Sequence, residues 1–276
     1  MKLTKIALSA AMAMSVFAGI PLTTTVFAAE NYVYDGDLSE KGTAAPDAWG
    51  ATPTPEQYRY QKEELAGFVH FGPNTFNNIE WGENYGDRTP DEIFMLEEDF
   101  DAETLVKAFH DAGFKKIIVT AKHHDGFCIW NSAYTEYDVA STSYKGGQGD
   151  ILAEISEACT KYDVDMGLYL SPWDIHDESY GYYDAEGNPT DAKQDVLDYN
   201  DYYVNQLNEI LGDDKYGNNG HFTEIWMDGA KGSGANAQDY DFQRWYDIIQ
   251  AQEGVQAGYD SECMIFQCGA NTTVRW

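Results

Sequence analysis

Five short stretches of the chain hold side chains that do chemistry. In "VTAKHHDGFCIW" (119–130) two adjacent imidazoles, His123 and His124, precede Asp125 and Gly126 at the end of a β-branched run. "HFTEIWMDG" (221–229) alternates like a strand, so Glu224, Trp226 and Asp228 face one way while Ile225 and Met227 face the other. "LYLSPWD" (168–174) puts Tyr169 and Ser171 on one strand face, and Pro172 stops the strand before Trp173 and Asp174. "IEWG" sets Glu80 beside Trp81, and "VHFG" supplies His70.

Three chemistries compete for these residues. A metal centre needs a third and usually a fourth ligand. No His-x-His or His-Glu-x-x-His is present, so neither a metal nor a cofactor is expected. Serine-type catalysis would need a nucleophile elbow, and no Gly-x-Ser-x-Gly occurs. Carboxylate chemistry remains. Asp228 precedes a glycine that turns the backbone, and the next helical pattern begins only about ten residues on, which weakens a helix-capping role. An axial Asp beside an indole fits a glycosidase nucleophile, whose partner carboxyl in the retaining type lies about 5–5.5 Å away. The carboxylate must stay ionised, which nearby cations or hydrogen-bond donors ensure. The imidazoles then suit hydroxyl recognition, since they donate, accept, and tolerate burial while neutral. Adjacent strand residues diverge, so both histidines reach one place only where the strand bends, and Asp125-Gly126 offers a bend; otherwise one of the two is a core residue. Glu80 and Trp81 fit a sugar's hydroxyls and flat face, or ordinary loop packing. His110 reads as a surface residue and His221 as a loop residue below its strand.

The elements that position these groups alternate regularly. Thr54 caps a short helix with Pro55 in its first turn. Strands are expected at 67–72, 115–121, 165–171, 221–229 and 263–269. Between them, Asp101 caps a helix carrying Leu105, Val106 and Phe109 and closed by Gly113; Asp150 caps another with Ile151, Leu152, Ile155 and Cys159 in register. A longer helix over 191–211 is marked by Val196, Tyr203, Leu207 and Ile210, and one more lies around 240–250. Strand–helix repeats imply a parallel α/β sheet. No Gly-x-Gly-x-x-Gly follows the first strand, and the unusual residues cluster at strand C-terminal ends, which favours a (β/α)8 barrel over a doubly wound sheet. About five β/α units are present, so residues 54–276 read as a catalytic barrel incomplete at its C-terminus.

The net charge of −30 is spread along the chain and excludes nucleic acid and anionic membranes as partners. Aromatics at 14% serve either the core or a sugar-stacking cleft. Lys2 and Lys5, the apolar run 6–22 and "VFA" at 26–28 form a signal peptide cleaved near Ala28, so export is expected, with no membrane attachment afterwards. Residues 29–53 read as a lead-in loop. The irregularly spaced Cys128, Cys159, Cys263 and Cys268 read as buried free thiols.

In order, "HFG", "EWG", "AKHHDGFCIW", "GLYLSPWD" and "EIWMDG" resemble the catalytic barrel of the α-L-fucosidases, glycoside hydrolase family 29, over about residues 60–276. The resemblance implies a retaining mechanism on terminal α-linked L-fucose of oligosaccharides or glycoconjugates, with Asp228 as nucleophile. It implies a fucose pocket of His70, Glu80, Trp81, His123, His124, Tyr169 and Trp226. "SPWD" resembles the branch acting on α-1,3/1,4 linkages. The closing "ANTTVRW" resembles a segment that leads to a Glu acid/base, which would lie beyond Trp276, as would a C-terminal β-sandwich. Two other classes stay open: a fucose-binding fragment without turnover, and a metal-dependent barrel hydrolase. Oligomeric state and natural glycan are not legible here.

Overall fold

The computed structural model describes residues 53, 55–83, 85–96, 100–181, 198–229, 238–253 and 263–267. The leader, Thr54, residues 191–197, Cys268 and the final "ANTTVRW" lie outside them. The described chain forms α1 (Pro55–Glu63), β1 (Ala66–Val69), the short α2 (Pro73–Asn77) and α3 (Pro90–Ile93), then α4 (Ala102–Asp111) and β2 (Lys116–Lys122). It continues with α5 (Ile151–Tyr162), β3 (Asp165–Leu170), α6 (Tyr199–Leu211), β4 (Glu224–Met227), α7 (Phe242–Glu253) and β5 (Met264–Gln267).

An aspartate starts each of the first three long crossovers. Asp101 accepts the Thr104 amide at 2.8 Å, Asp150 the Ala153 amide at 3.0 Å, and Asp198 the Asn200 amide at 2.8 Å. Each cap satisfies an amide that the first helical turn leaves unpaired. Helix α5 buries Ile151, Leu152, Ile155 and Cys159 completely, each worth about 1.5–3 kcal/mol of apolar burial for the larger side chains. Gly67 on β1 lets α4 close on the sheet: a Cβ there would fall 2.5 Å from the Phe109 ring.

All strand pairs are parallel, in the order β1-β2-β3-β4-β5. Right-handed crossovers that always step the same way put the crossover helices on one face and curl the sheet toward a barrel. A doubly wound sheet would reverse its strand order, and this one does not. The five units expected from sequence are those observed. On β4, Ile225 and Met227 are buried in the helix layer, whereas Trp226 meets Phe68 across the inner face. Glu224, on that inner face, closes the bottom of the sheet: Lys116 Nζ lies 2.8 Å from Glu224 and 2.9 Å from Glu63 of α1, above the Tyr60 ring. Cys128 and Cys159 are buried free thiols, as expected, whereas Cys263 is only half-buried.

Two expectations about strand ends are corrected. The first strand, expected to run to residue 72, stops at Val69, because Phe71 turns away to join Phe76, Phe94 and Phe100. The bend in β2 begins before Asp125-Gly126. Thr120 pairs with Tyr169 but Lys122 pairs with Leu170, so Ala121 is an extra residue, a β-bulge. Its carbonyl instead accepts the Ile129 amide at 3.0 Å. A bulge reverses which residues face which side. Lys122 is thereby sent outward among the tyrosines of α6, and His123 inward.

Candidate active site

The C-terminal ends of β1 to β4 bring together six of the seven expected pocket residues and Asp228. His70, the first residue beyond β1, has its ring 4.5 Å from that of His123. His123 lies 4.1 Å from His124 and stacks on Tyr169 at 5.8 Å. His124 packs on Trp173 at 4.7 Å, and Trp173 meets Trp81 edge-on at 5.7 Å. On the other side Phe68 touches both Tyr169 and Trp226 edge-on. Both adjacent histidines therefore belong to one continuous aromatic wall, His123 half-buried and His124 buried with its Nδ1 against Ser171.

Asp228, half-buried just past β4, has its Oδ2 3.0 Å from the Tyr169 hydroxyl, which donates to it. Gly229 follows with φ +120°; a Cβ there would lie 2.7 Å from Trp173 Cβ, so only glycine lets the β3 and β4 ends approach this closely. Glu80 stands apart. It is exposed, its carbonyl accepts Asn74 Nδ2 at 3.0 Å, and among the described residues no hydrogen bond or ion pair holds its carboxylate.

Burial sets the charge state of the wall. It holds His123 down to about 2, helped by the neighbouring His124 and His70. It holds His124 down to about 4, against the opposing pull of Asp228. His70 is lowered by burial as well. A neutral imidazole carries one donor and one acceptor nitrogen, which suits sugar hydroxyls, although Nδ1 of His124 is already engaged by Ser171 at 2.7 Å. Asp125 behaves in the opposite sense: burial pushes it up to about 7, although the Phe127 amide and Asn74 both donate to it. The 4.0 Å approach of His123 Nδ1 to Asp125 is thus not an ion pair, because the imidazole is neutral.

The sequence reading missed the groups that hold the wall in place. Asn74 links Asp125, at 2.9 Å, to the carbonyl of Glu80 and to the Tyr85 hydroxyl, tying the Glu80-Trp81 loop to the bend after β2. Lys122 and Asp174 form a buried ion pair at 3.1 Å, and Asp174 also accepts the His176 and Asp177 amides. Phe68 bridges Tyr169 to Trp226. Its position two residues before His70, on the same strand face, was the available signal. Asn74 and Lys122 had none, since their partners lie 51 and 52 residues away in sequence. Among the described residues no three His, Cys, Asp or Glu side chains converge as metal ligands.

Residues 40–263 match the family model described as alpha-L-fucosidase. The Arabidopsis thaliana alpha-L-fucosidase 1 is 38% identical over 224 residues, covering 81% of this chain and 38% of its own length. A Ruminococcus gnavus GH29 fucosidase solved in complex with fucose is 66% identical, with a TM-score of 0.73 over 81% of this chain and 45% of that one. A GH29 alpha-L-fucosidase from Bacteroides thetaiotaomicron, 26% identical, superposes with a TM-score of 0.56 over 78% of this chain and 50% of its own. The chain thus spans about two fifths of the length of the curated Arabidopsis and rice relatives. The parallel strands in sequential order, the wall of rings around a carboxylate and the match over four fifths of the sequence agree, and the chain belongs to the alpha-L-fucosidase family, with the β/α-barrel fold of that family.

Proposed function

We propose that this protein is a retaining α-L-fucosidase whose nucleophile is Asp228. The observation that carries the proposal is the Asp228 carboxylate at the β4 end, receiving the Tyr169 hydroxyl at 3.0 Å in a wall of neutral imidazoles and ring faces. Tyr169 occupies Oδ2 and leaves Oδ1 to attack the anomeric carbon. The bond to the departing glycan breaks as the glycosidic oxygen takes a proton from a second carboxyl, and water then cleaves the fucosyl-aspartate ester, returning its proton to that carboxyl. His70, His123 and His124 exchange hydrogen bonds with sugar hydroxyls. Trp226, Trp81 and the Tyr169 ring supply apolar faces. Glu80, exposed on the loop beside Trp81, accepts a hydroxyl only when substrate fills the mouth. The substrate class is terminal α-linked fucose on oligosaccharides or glycoconjugates, with α-1,3/1,4 linkages favoured. The basic start, apolar run and "VFA" support export with cleavage near Ala28. Amino-terminal sequencing of protein recovered from the medium tests that point.

The catalytic proposal is tested in the full-length protein with an aryl α-L-fucoside. Asp228→Ala is expected to lose on the order of 10³-fold or more in kcat. Azide should restore part of that turnover and release a fucosyl azide of inverted configuration, because the small anion fills the vacated carboxylate site. Undiminished activity in Asp228→Ala, or a first-formed fucose of inverted configuration from the unaltered enzyme, refutes the assignment.

A further inference from the structure

We infer that Ser171 is a positioning residue that fixes the proton of His124 on Nδ1 and so makes its other ring nitrogen, Nε2, a hydrogen-bond acceptor for the sugar. The ligand half of this inference rests on the fucose-pocket reading above; the proton half concerns only this chain. Ser171 is fully buried just past β3. Its Oγ lies 2.7 Å from the Trp173 carbonyl oxygen, 3.1 Å from the Asp228 carbonyl oxygen and 2.7 Å from His124 Nδ1.

A hydroxyl carries one proton and two lone pairs. Both carbonyl oxygens can only accept. If the Ser171 proton went to His124, two carbonyl oxygens would face hydroxyl lone pairs at hydrogen-bond distance with no proton between them. Placing that proton toward the carbonyls removes the conflict, and His124 Nδ1–H then donates to Oγ. Burial keeps His124 neutral, down to about 4, so Nε2 carries no proton. Nε2 has no hydrogen-bond partner among the described residues, so it is free to accept one from outside the chain. A sugar hydroxyl can donate to it; an ether oxygen or a fluorine cannot. The same hydroxyl joins three of the motifs, since His124, Trp173 and Asp228 follow β2, β3 and β4 respectively. A serine at this place therefore decides both where the imidazole points and what it recognises.

Nitrogen-15 NMR of histidine-labelled protein reads the tautomer without any ligand, with the His124 signals assigned by their loss in His124→Gln. The expected result is Nδ1–H in the unaltered protein and in Ser171→Thr, with Nε2–H appearing in Ser171→Ala. An Nε2–H tautomer in the unaltered protein, or an unchanged tautomer in Ser171→Ala, overturns the inference. The second arm titrates L-fucose calorimetrically. Ser171→Ala should bind about tenfold more weakly, the worth of one hydrogen bond, and Ser171→Thr should keep most of the affinity. Equal affinity in Ser171→Ala also overturns it. An unaltered protein that shows the Nδ1–H tautomer yet binds no fucose overturns the fucose reading and upholds the proton assignment.

Discussion

Asp125→Asn should make the protein markedly more sensitive to acid. Asp125 is buried and its carboxyl is pushed up to about 7 from 3.8. A folded value above the unfolded one means a stabilising contribution that is fully present below 3.8 and lost as pH rises through about 7. His123 and His124 run the other way. Their folded values, about 2 and about 4, lie below 6.5, so their contribution is present above 6.5 and lost as pH falls. Each pH unit of unequal proton uptake is worth 1.36 kcal/mol. Between pH 7.5 and pH 5 the two histidines together cost about 4 kcal/mol, and proton uptake by Asp125 returns about 2.5 kcal/mol of it. The unaltered protein should therefore lose about 1.5 kcal/mol from these three groups over that interval, and Asp125→Asn about 4 kcal/mol. Asparagine keeps a carbonyl for one of the two donors, Phe127 N or Asn74 Nδ2, so its remaining cost does not vary with pH. Urea unfolding of both proteins at half-unit pH steps measures the difference. All other titrating groups are shared and cancel. Stability curves that run parallel from pH 7.5 to pH 5 refute the picture of Asp125 as a buried group that holds its proton in the fold.

Other perturbations address the support of the wall and its chemistry. Lys122→Met leaves the Asp174 carboxylate buried with only the His176 and Asp177 amides, which should cost about 3–5 kcal/mol in urea unfolding. A loss under about 1 kcal/mol would show that the pair contributes little, and Lys122→Met combined with Asp174→Asn should recover part of the deficit. Tyr169→Phe keeps the ring contacts to Phe68 and His123 and removes the hydroxyl that donates to Asp228. It should lower kcat/KM on an aryl α-L-fucoside by roughly 10- to 100-fold, the range for a hydrogen bond to a charged group. Unchanged kinetics would detach Tyr169 from the nucleophile.

The periodicity of the chain already contained the alternation of strands and helices, the aspartate caps at 101 and 150, and the placing of reactive residues at strand C-terminal ends. These are legible because capping and amphipathic packing are local: the signal and its consequence lie within a few residues of each other. The two inner-face residues of β4 were legible for the same reason, since strand alternation separates Trp226 from Ile225 and Met227 without reference to anything distant.

Tertiary structure alone decided the rest. Whether one histidine or both face the mouth depends on Ala121 being an extra residue against β3, and a register shift between strands leaves no mark in either strand's own sequence. Lys122 directly precedes the two histidines in sequence, yet the bulge turns it away to Asp174 and the α6 tyrosines. Ser171 looked like one more polar residue at a strand end until the carbonyls of Trp173 and Asp228 and the ring of His124 closed around its hydroxyl. A hydrogen bond is set by geometry within a few tenths of an ångström between residues tens of positions apart, and residue type and order carry the capacity for such a bond but not its partner.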